Sequence, residues 1–293
     1  MYAITGITGK VGGTLAAALL AEGQPVRAVV RDRAKGEAWA AKGCEVALAE
    51  MEDAASLAKA FAGAEAVFIL PPSEFDPAPD FPEAHRVIDA VRTALLQAPP
   101  ARAVCLSTIG ADAPHENLLT QRTLLEQALS AIDIPVTFLR PAWFMENAAW
   151  DVAAARNDGV LRSFLQPADR AISMVSTRDV GRAAADLMQQ KWSGIRIVEL
   201  EGPRRVSPND IASAFAAALG RPVRVEIVAR PLWEGIFRAQ GTRNPEPRIR
   251  MLDGFNEGWI AFRGDSSNLM KGTTPIAEVI AALVADAAAN KAA

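Results

Sequence analysis

Within its first twelve residues the chain places glycine at every third position, in Thr5-Gly6-Ile7-Thr8-Gly9-Lys10-Val11-Gly12. A G-x-x-G-x-x-G turn from a strand into a helix is suited to hold a pyrophosphate. The first glycine turns tightly, the second admits the phosphate close to the backbone, and the third lets the helix sit against the sheet. The helix offers unpaired amides and the positive end of its dipole to the anion. The run follows the apolar Tyr2-Ala3-Ile4 and opens an Ala- and Leu-rich stretch, which is the context the motif needs. Gly6, Thr8, Gly9, Lys10, Val11 and Gly12 are therefore assigned to a dinucleotide.

The second β-rich run ends in Val29-Val30-Arg31-Asp32-Arg33, with Lys35 close behind. An acid at this strand tip holds the ribose 2′-hydroxyl of NAD, whereas a cation accommodates the 2′-phosphate of NADP. Arg31 is assigned that contact, with Lys10, Arg33 and Lys35 as helpers. NADP(H) is thus the preferred cofactor, and Asp32 leaves NAD(H) open.

Later strand ends supply further candidates, since open α/β sheets bind ligands at their carboxyl edge. Leu70, Pro71 and Pro72 are expected beside the cofactor ribose, and Ser107 and Thr108 end the fifth strand. Pro141 is counted with the cofactor set. Beyond it, Trp143, Phe144 and Asn147 form an apolar wall with a polar group, which suits a planar aromatic acceptor. Trp233 and Phe237 are expected to close that wall from the other side. Ser107 and Asn147 are given orienting roles in catalysis. His115, in the loop Gly110–His115, reads as a solvent-exposed histidine, with proton donation as the alternative.

The elements that carry these residues alternate. Strands are expected at Tyr2–Thr5, Val26–Val30, Glu45–Leu48, Ala66–Leu70, Ala103–Ser107 and Val136–Leu139, with helices near 10–22, 33–42, 54–62, 82–97 and 118–131. Gly23, Gly43 and Gly63 follow three of the helices, where a left-handed cap favours glycine. Asp53 sits where an N-cap belongs. Apolar strands alternating with helices imply a parallel sheet covered on both faces. After Leu139 the rhythm loosens. A helical stretch is expected at 143–156, strands at Ile172–Val175, Ile197–Glu201 and Val223–Val228, and a terminal helix from Thr274-Pro275. Ser176-Thr-Arg-Asp179 has the spacing of a capping box, and Ser207-Pro208 combines an N-cap with proline at the first helical position.

Three segments carry a family resemblance: the glycine loop, the Val-Arg-Asp end of the second strand, and Leu139-Arg-Pro-Ala-Trp-Phe-Met-Glu-Asn147. Together they resemble the NmrA-like group, atypical members of the short-chain dehydrogenase/reductase superfamily. Ser56-Leu57-Ala-Lys-Ala-Phe61-Ala-Gly63 and Lys271-Gly-Thr-Thr-Pro275 resemble it too. The resemblance implies an α/β fold, a Rossmann doubly wound parallel sheet with a smaller α+β C-terminal lobe and a substrate cleft between them. The expected division is an NAD(P)-binding domain over 1–150, also using 171–201, and a lobe over 151–170 and 202–293.

The resemblance also implies NAD(P)H-dependent reduction of quinones, azo dyes or triphenylmethane dyes, or regulation through dinucleotide binding. Most of the superfamily uses a Tyr-x-x-x-Lys pair as proton relay. This chain has a single tyrosine, Tyr2, inside the first strand. By the same resemblance Ser107 stands at the superfamily's serine position, and Arg122 replaces the lysine of related proteins. Arg122 would hold ribose hydroxyls, with an i,i+4 pair to Glu126 as the alternative.

Bulk composition bounds the rest. The chain has 293 residues, a net charge of −3 and 50% apolar residues. It gives no basic footprint for direct nucleic-acid contact and no apolar run of membrane-spanning length. Cys44 and Cys105 read as reduced core thiols, and neither they nor His85 and His115 have metal-ligand spacing. The expected setting is a reducing cytoplasm, with the chain a monomer or a homodimer. The leading reading is hydride transfer from NADPH to a quinone or similar electron-poor aromatic. The alternative is a non-catalytic NADP(H) sensor acting through a protein partner.

Overall fold

The computed structural model describes residues 1–262 and 268–292, without the side chains of 290–292. The elements begin with β1 (Tyr2–Thr5), α1 (Lys10–Ala21), β2 (Val26–Val30), α2 (Arg33–Ala40) and β3 (Glu45–Leu48). They continue with α3 (Ala54–Phe61), β4 (Ala66–Ile69), α4 (Pro82–Gln97), β5 (Arg102–Leu106), α5 (Thr120–Ser130) and β6 (Val136–Pro141). The second half holds β7 (Trp143–Phe144), α6 (Val152–Asp158), β8 (Val160–Ser163), β9 (Met174–Val175), α7 (Thr177–Gln189) and β10 (Ile195–Glu201). Last come α8 (Pro208–Leu219), β11 (Arg224–Ile227), α9 (Trp233–Ala239), α10 (Glu246–Glu257), β12 (Leu269–Lys271) and α11 (Ile276–Ala292).

The main sheet has eight strands in the order β12-β10-β6-β5-β4-β1-β2-β3, and it is parallel and doubly wound. From β1 the chain builds outward to β3, then crosses back to β4 and builds the other way. The switch point therefore lies between β1 and β4, where such sheets bind ligands at the carboxyl edge. Thr5 ties that edge together: its hydroxyl donates to Phe68 O (3.1 Å) and accepts from Leu70 N (2.8 Å). β1, β4, β5 and β6 are wholly buried, as apolar strands covered on both faces should be. The edge strand β3 is half exposed instead.

The chain divides into two compact units. Unit 1 comprises Met1–Ala111, Leu119–Arg140 and Val180–Val198; unit 2 comprises Asp112–Leu118, Pro141–Asp179 and Glu199–Ala293. In unit 1, one core packs Leu57 and Phe61 of α3, Val87, Ile88 and Val91 of α4, and Leu125 and Leu129 of α5 over the sheet. In unit 2, β7 pairs with β9, β8 with β11, and the end of β10 with β12. Among the described residues no helix is long and apolar enough to cross a membrane, and no acid, histidine and cysteine cluster could hold a metal.

The caps explain where helices start and stop. Asp53 accepts from Ala55 N, Gly23, Gly43 and Gly63 have positive φ, and Ser207 closes a capping box with Asp210. Three expectations are corrected. The stretch 143–156 is not one helix but β7, a 3-10 segment over Met145–Asp151, and α6. Trp143 and Phe144 take extended backbone because they pair with Met174 and Val175. The strand at 172–175 shortens to Met174–Val175, Ile172 making only an isolated bridge to Val206. Asp179 does not close a box with Ser176: its carboxylate accepts from Thr274 N and Oγ1 (2.8 and 2.9 Å).

Candidate cofactor and active site

The glycine loop has the geometry of an anion cradle. Gly6 has φ +65°, open to glycine at little cost, and a Cβ there would press on Leu70 at 3.1 Å. At Gly12 a Cβ would lie 2.4 Å from Gly6 O, so only glycine lets α1 approach the turn this closely. Gly9 is the N-cap of α1, and no side chain caps the helix. The first amides of a helix lack partners within it, so this end presents donors and a positive dipole outward. Thr8, Gly9 and Lys10 are exposed there, whereas Val11 is core. On the other flank, Gly181 of α7 packs against α1 so closely that its Cβ would lie 2.6 Å from Thr14 Cβ.

At the tip of β2, Arg31, Arg33 and Lys35 are exposed and, like Lys10, make no ion pair among the described residues. Asp32, which left NAD(H) open, is the N-cap of α2 and accepts from Ala34 N at 2.9 Å. Its carboxylate already has a backbone role.

Arg122 corrects the i,i+4 alternative. Its Nη2 donates to Pro71 O (2.9 Å) and Ser73 Oγ (2.8 Å), not to Glu126. Burial lowers its pKa from the ordinary arginine value. Beside it, the Gln121 amide donates to Glu74 O and accepts from Glu74 N. Together Arg122 and Gln121 fasten the segment Pro71–Glu74 after β4.

Glu126 instead faces inward to Arg140. Arg140 Nε and Nη2 grip its two oxygens at 2.9 and 2.6 Å, and Ser107 Oγ lies 2.5 Å from Oε1. The three side chains are buried. The Glu126–Arg140 pairing escaped a reading by sequence because its members lie on α5 and β6, fourteen residues apart. Thr108 is half-buried after β5. Burial pushes the Cys105 thiol up to about 12, which leaves it an inert core group.

The acceptor-wall candidates lie in unit 2. Trp143 and Phe144 are half-buried on β7, Trp143 meeting Phe255 edge-on at 5.1 Å. Asn147 is half-buried, and its side chain makes no hydrogen bond among the described residues. Pro141 is buried at the end of β6. Trp233 and Phe237 are not wall residues. Both are 0% exposed, packed against Phe164, and Trp233 Nε1 donates to Val228 O at 2.7 Å. His115 is exposed, its ring edge-on to Trp259 at 5.2 Å. The resembling motifs also have local work in unit 2. Glu146 accepts from Thr177 N and Oγ1 and from Ser176 Oγ, capping α7, while a Cβ on Gly272 would strike Asp179 at 2.5 Å.

A family model described as the NmrA-like family matches residues 2–247. An NAD(P)H azoreductase of Xenophilus azovorans is 28% identical over 260 residues, covering 88% of this chain and 85% of that one. A (4-alkanoyl-5-oxo-2,5-dihydrofuran-3-yl)methyl phosphate reductase of Streptomyces griseus is 30% identical over 228 residues, covering 77% and 76%. Among solved structures, an NADPH-dependent quinone oxidoreductase from Escherichia coli, complexed with NADPH, superimposes with a TM-score of 0.80. It is 25% identical and covers 97% of this chain and 99% of its own.

Proposed function

The chain belongs to the NmrA-like family, and we propose that it is an NAD(P)H-dependent reductase, favouring NADPH, of quinones or similar electron-poor aromatics. The observation that carries this reading is the uncapped α1 N-terminus at the switch point, where a Cβ on Gly12 would lie 2.4 Å from Gly6 O, so that only glycine fits. That cradle fits a pyrophosphate. Arg31, exposed at the β2 tip with no ion pair among the described residues, fits a 2′-phosphate, with Lys10, Arg33 and Lys35 adding charge. Relatives named for NAD(P)H- and NADPH-dependent reduction support the cofactor and the reaction class.

When bound, the nicotinamide supplies a hydride. The chain's own groups bind and orient: Gly6, Thr8, Gly9, Lys10, Val11 and Gly12 the pyrophosphate side, Leu70, Pro71 and Pro72 the ribose side. Arg122 works by fixing Pro71 and Ser73, and Ser107, Thr108 and Pro141 complete the cofactor set. Trp143, Phe144 and Asn147 take the acceptor. No Tyr-x-x-x-Lys relay serves it. Tyr2 lies buried in β1, where desolvation pushes its phenol above the usual 10.0, away from proton transfer at neutral pH. A quinone tolerates this lack, because hydride addition leaves a stabilised phenolate that water can protonate. Catalysis is then mainly positioning. The test compares a quinone with a simple ketone of similar size under NADPH. Reduction of the quinone alone is expected; equal turnover of the ketone would point to a proton donor in this chain and overturn the relay-free mechanism.

A further inference from the structure

The buried chain Ser107–Glu126–Arg140 fixes which way a hydrogen bond runs. Arg140 stays protonated at any physiological pH. An arginine carries donors only, and Arg140 aims two of them at both oxygens of Glu126, so this carboxyl group faces its neighbours as an acceptor. The 2.5 Å contact from Ser107 Oγ must therefore use the serine's one proton. Ser107 N is also committed, donating to Leu139 O at 2.8 Å, which holds the residue in place between β5 and β6. What the hydroxyl has left is lone pairs.

We propose that Glu126 and Arg140 are positioning residues that lock Ser107 as a hydrogen-bond acceptor. Its ligand partner is an N–H donor, the carboxamide of the bound nicotinamide, and not an oxygen of the substrate. The inference rests on the dinucleotide reading above. A quinone carries oxygens that need donors, and Ser107 has no proton to give them. The carboxamide supplies two N–H groups at the reactive end of the cofactor. Bound this way, its amide would set the face of the ring without Ser107 taking part in proton transfer.

The test is direct binding, read by nicotinamide fluorescence, of NADPH and of an analogue with an acetyl group in place of the carboxamide. Ser107→Ala is expected to weaken NADPH about five- to tenfold, the range of one lost neutral hydrogen bond, and to leave the analogue within about twofold. Ser107→Thr should restore NADPH binding. Glu126→Gln, where it folds, should weaken NADPH as Ser107→Ala does. No loss of NADPH affinity in Ser107→Ala would overturn the proposal. Equal losses for both cofactors would also overturn it, because a ribose hydroxyl would then be the partner. A parent protein that binds neither cofactor would instead sink the dinucleotide reading itself.

Discussion

In the proposed cofactor assignment, choice turns on Arg31, whose guanidinium stands exposed at the strand tip with no ion pair among the described residues, while Asp32 caps α2. Arg31→Ala is expected to raise the Kd for NADPH about tenfold, the loss of a charge-assisted contact, and to leave that for NADH within about twofold. An unchanged ratio would place the 2′-phosphate elsewhere. Asp151 makes a separate prediction. It ends the 3-10 segment, its carboxyl without a hydrogen-bond partner among the described residues, and burial pushes that carboxyl from 3.8 up to about 7. A folded value above the unfolded one means the native chain holds that proton more tightly. Its stabilisation is complete below about pH 4 and is lost as pH rises through 7. Asp151→Asn should therefore match the parent near pH 4 and gain on the order of a few kcal/mol at pH 8, read from urea midpoints. A variant with the parent's full pH slope would show that Asp151 does not cause it. Little of this was legible beforehand: Arg31 could be read from its place at a strand tip, but the surroundings of Asp151 come from packing distant in sequence.

At the scale of elements, β1, the glycine loop and α1 act as one joint. Gly12→Ala puts a methyl where Gly6 O already lies 2.4 Å away. Overpacking of that kind typically costs about 1–3 kcal/mol, and the shift it forces should also abolish tight NADPH binding. Calorimetry and a fluorescence titration would check both; a stable variant with parental affinity would contradict the close approach. Glu146→Ala should cost about 1 kcal/mol in a urea titration, because Glu146 carries the capping bonds of Thr177 N and Oγ1. The alternating first half was legible in the sequence because its elements are set by local rules: apolar strands, Asp53 as a cap, glycine after three of the helices. Between 143 and 175 those rules fail. The strands there are two to four residues long and held by distant partners, so Trp143 and Phe144 read as helical although pairing with β9 makes them extended.

For the whole molecule, the glycine loop and the segment Leu139–Asn147 indicated the family and the doubly wound sheet from sequence, and the matches over residues 2–247 agree. The polar connections between elements were not legible. Arg122 to Pro71, Glu126 to Arg140 and Asp179 to Thr274 span 14 to 95 residues and depend on which faces the fold brings together. Trp233 was misplaced for a related reason, since an aromatic on a helix gives no sign in sequence of whether it faces core or ligand. The claim that depends on the whole chain is turnover. Purified protein mixed with NADPH and a simple quinone should oxidise the nicotinamide, read as loss of its absorbance, well above the protein-free rate. Tight NADPH binding with no such loss across a panel of quinones and dyes would contradict it, leaving a protein that binds the dinucleotide without using it as a reductant.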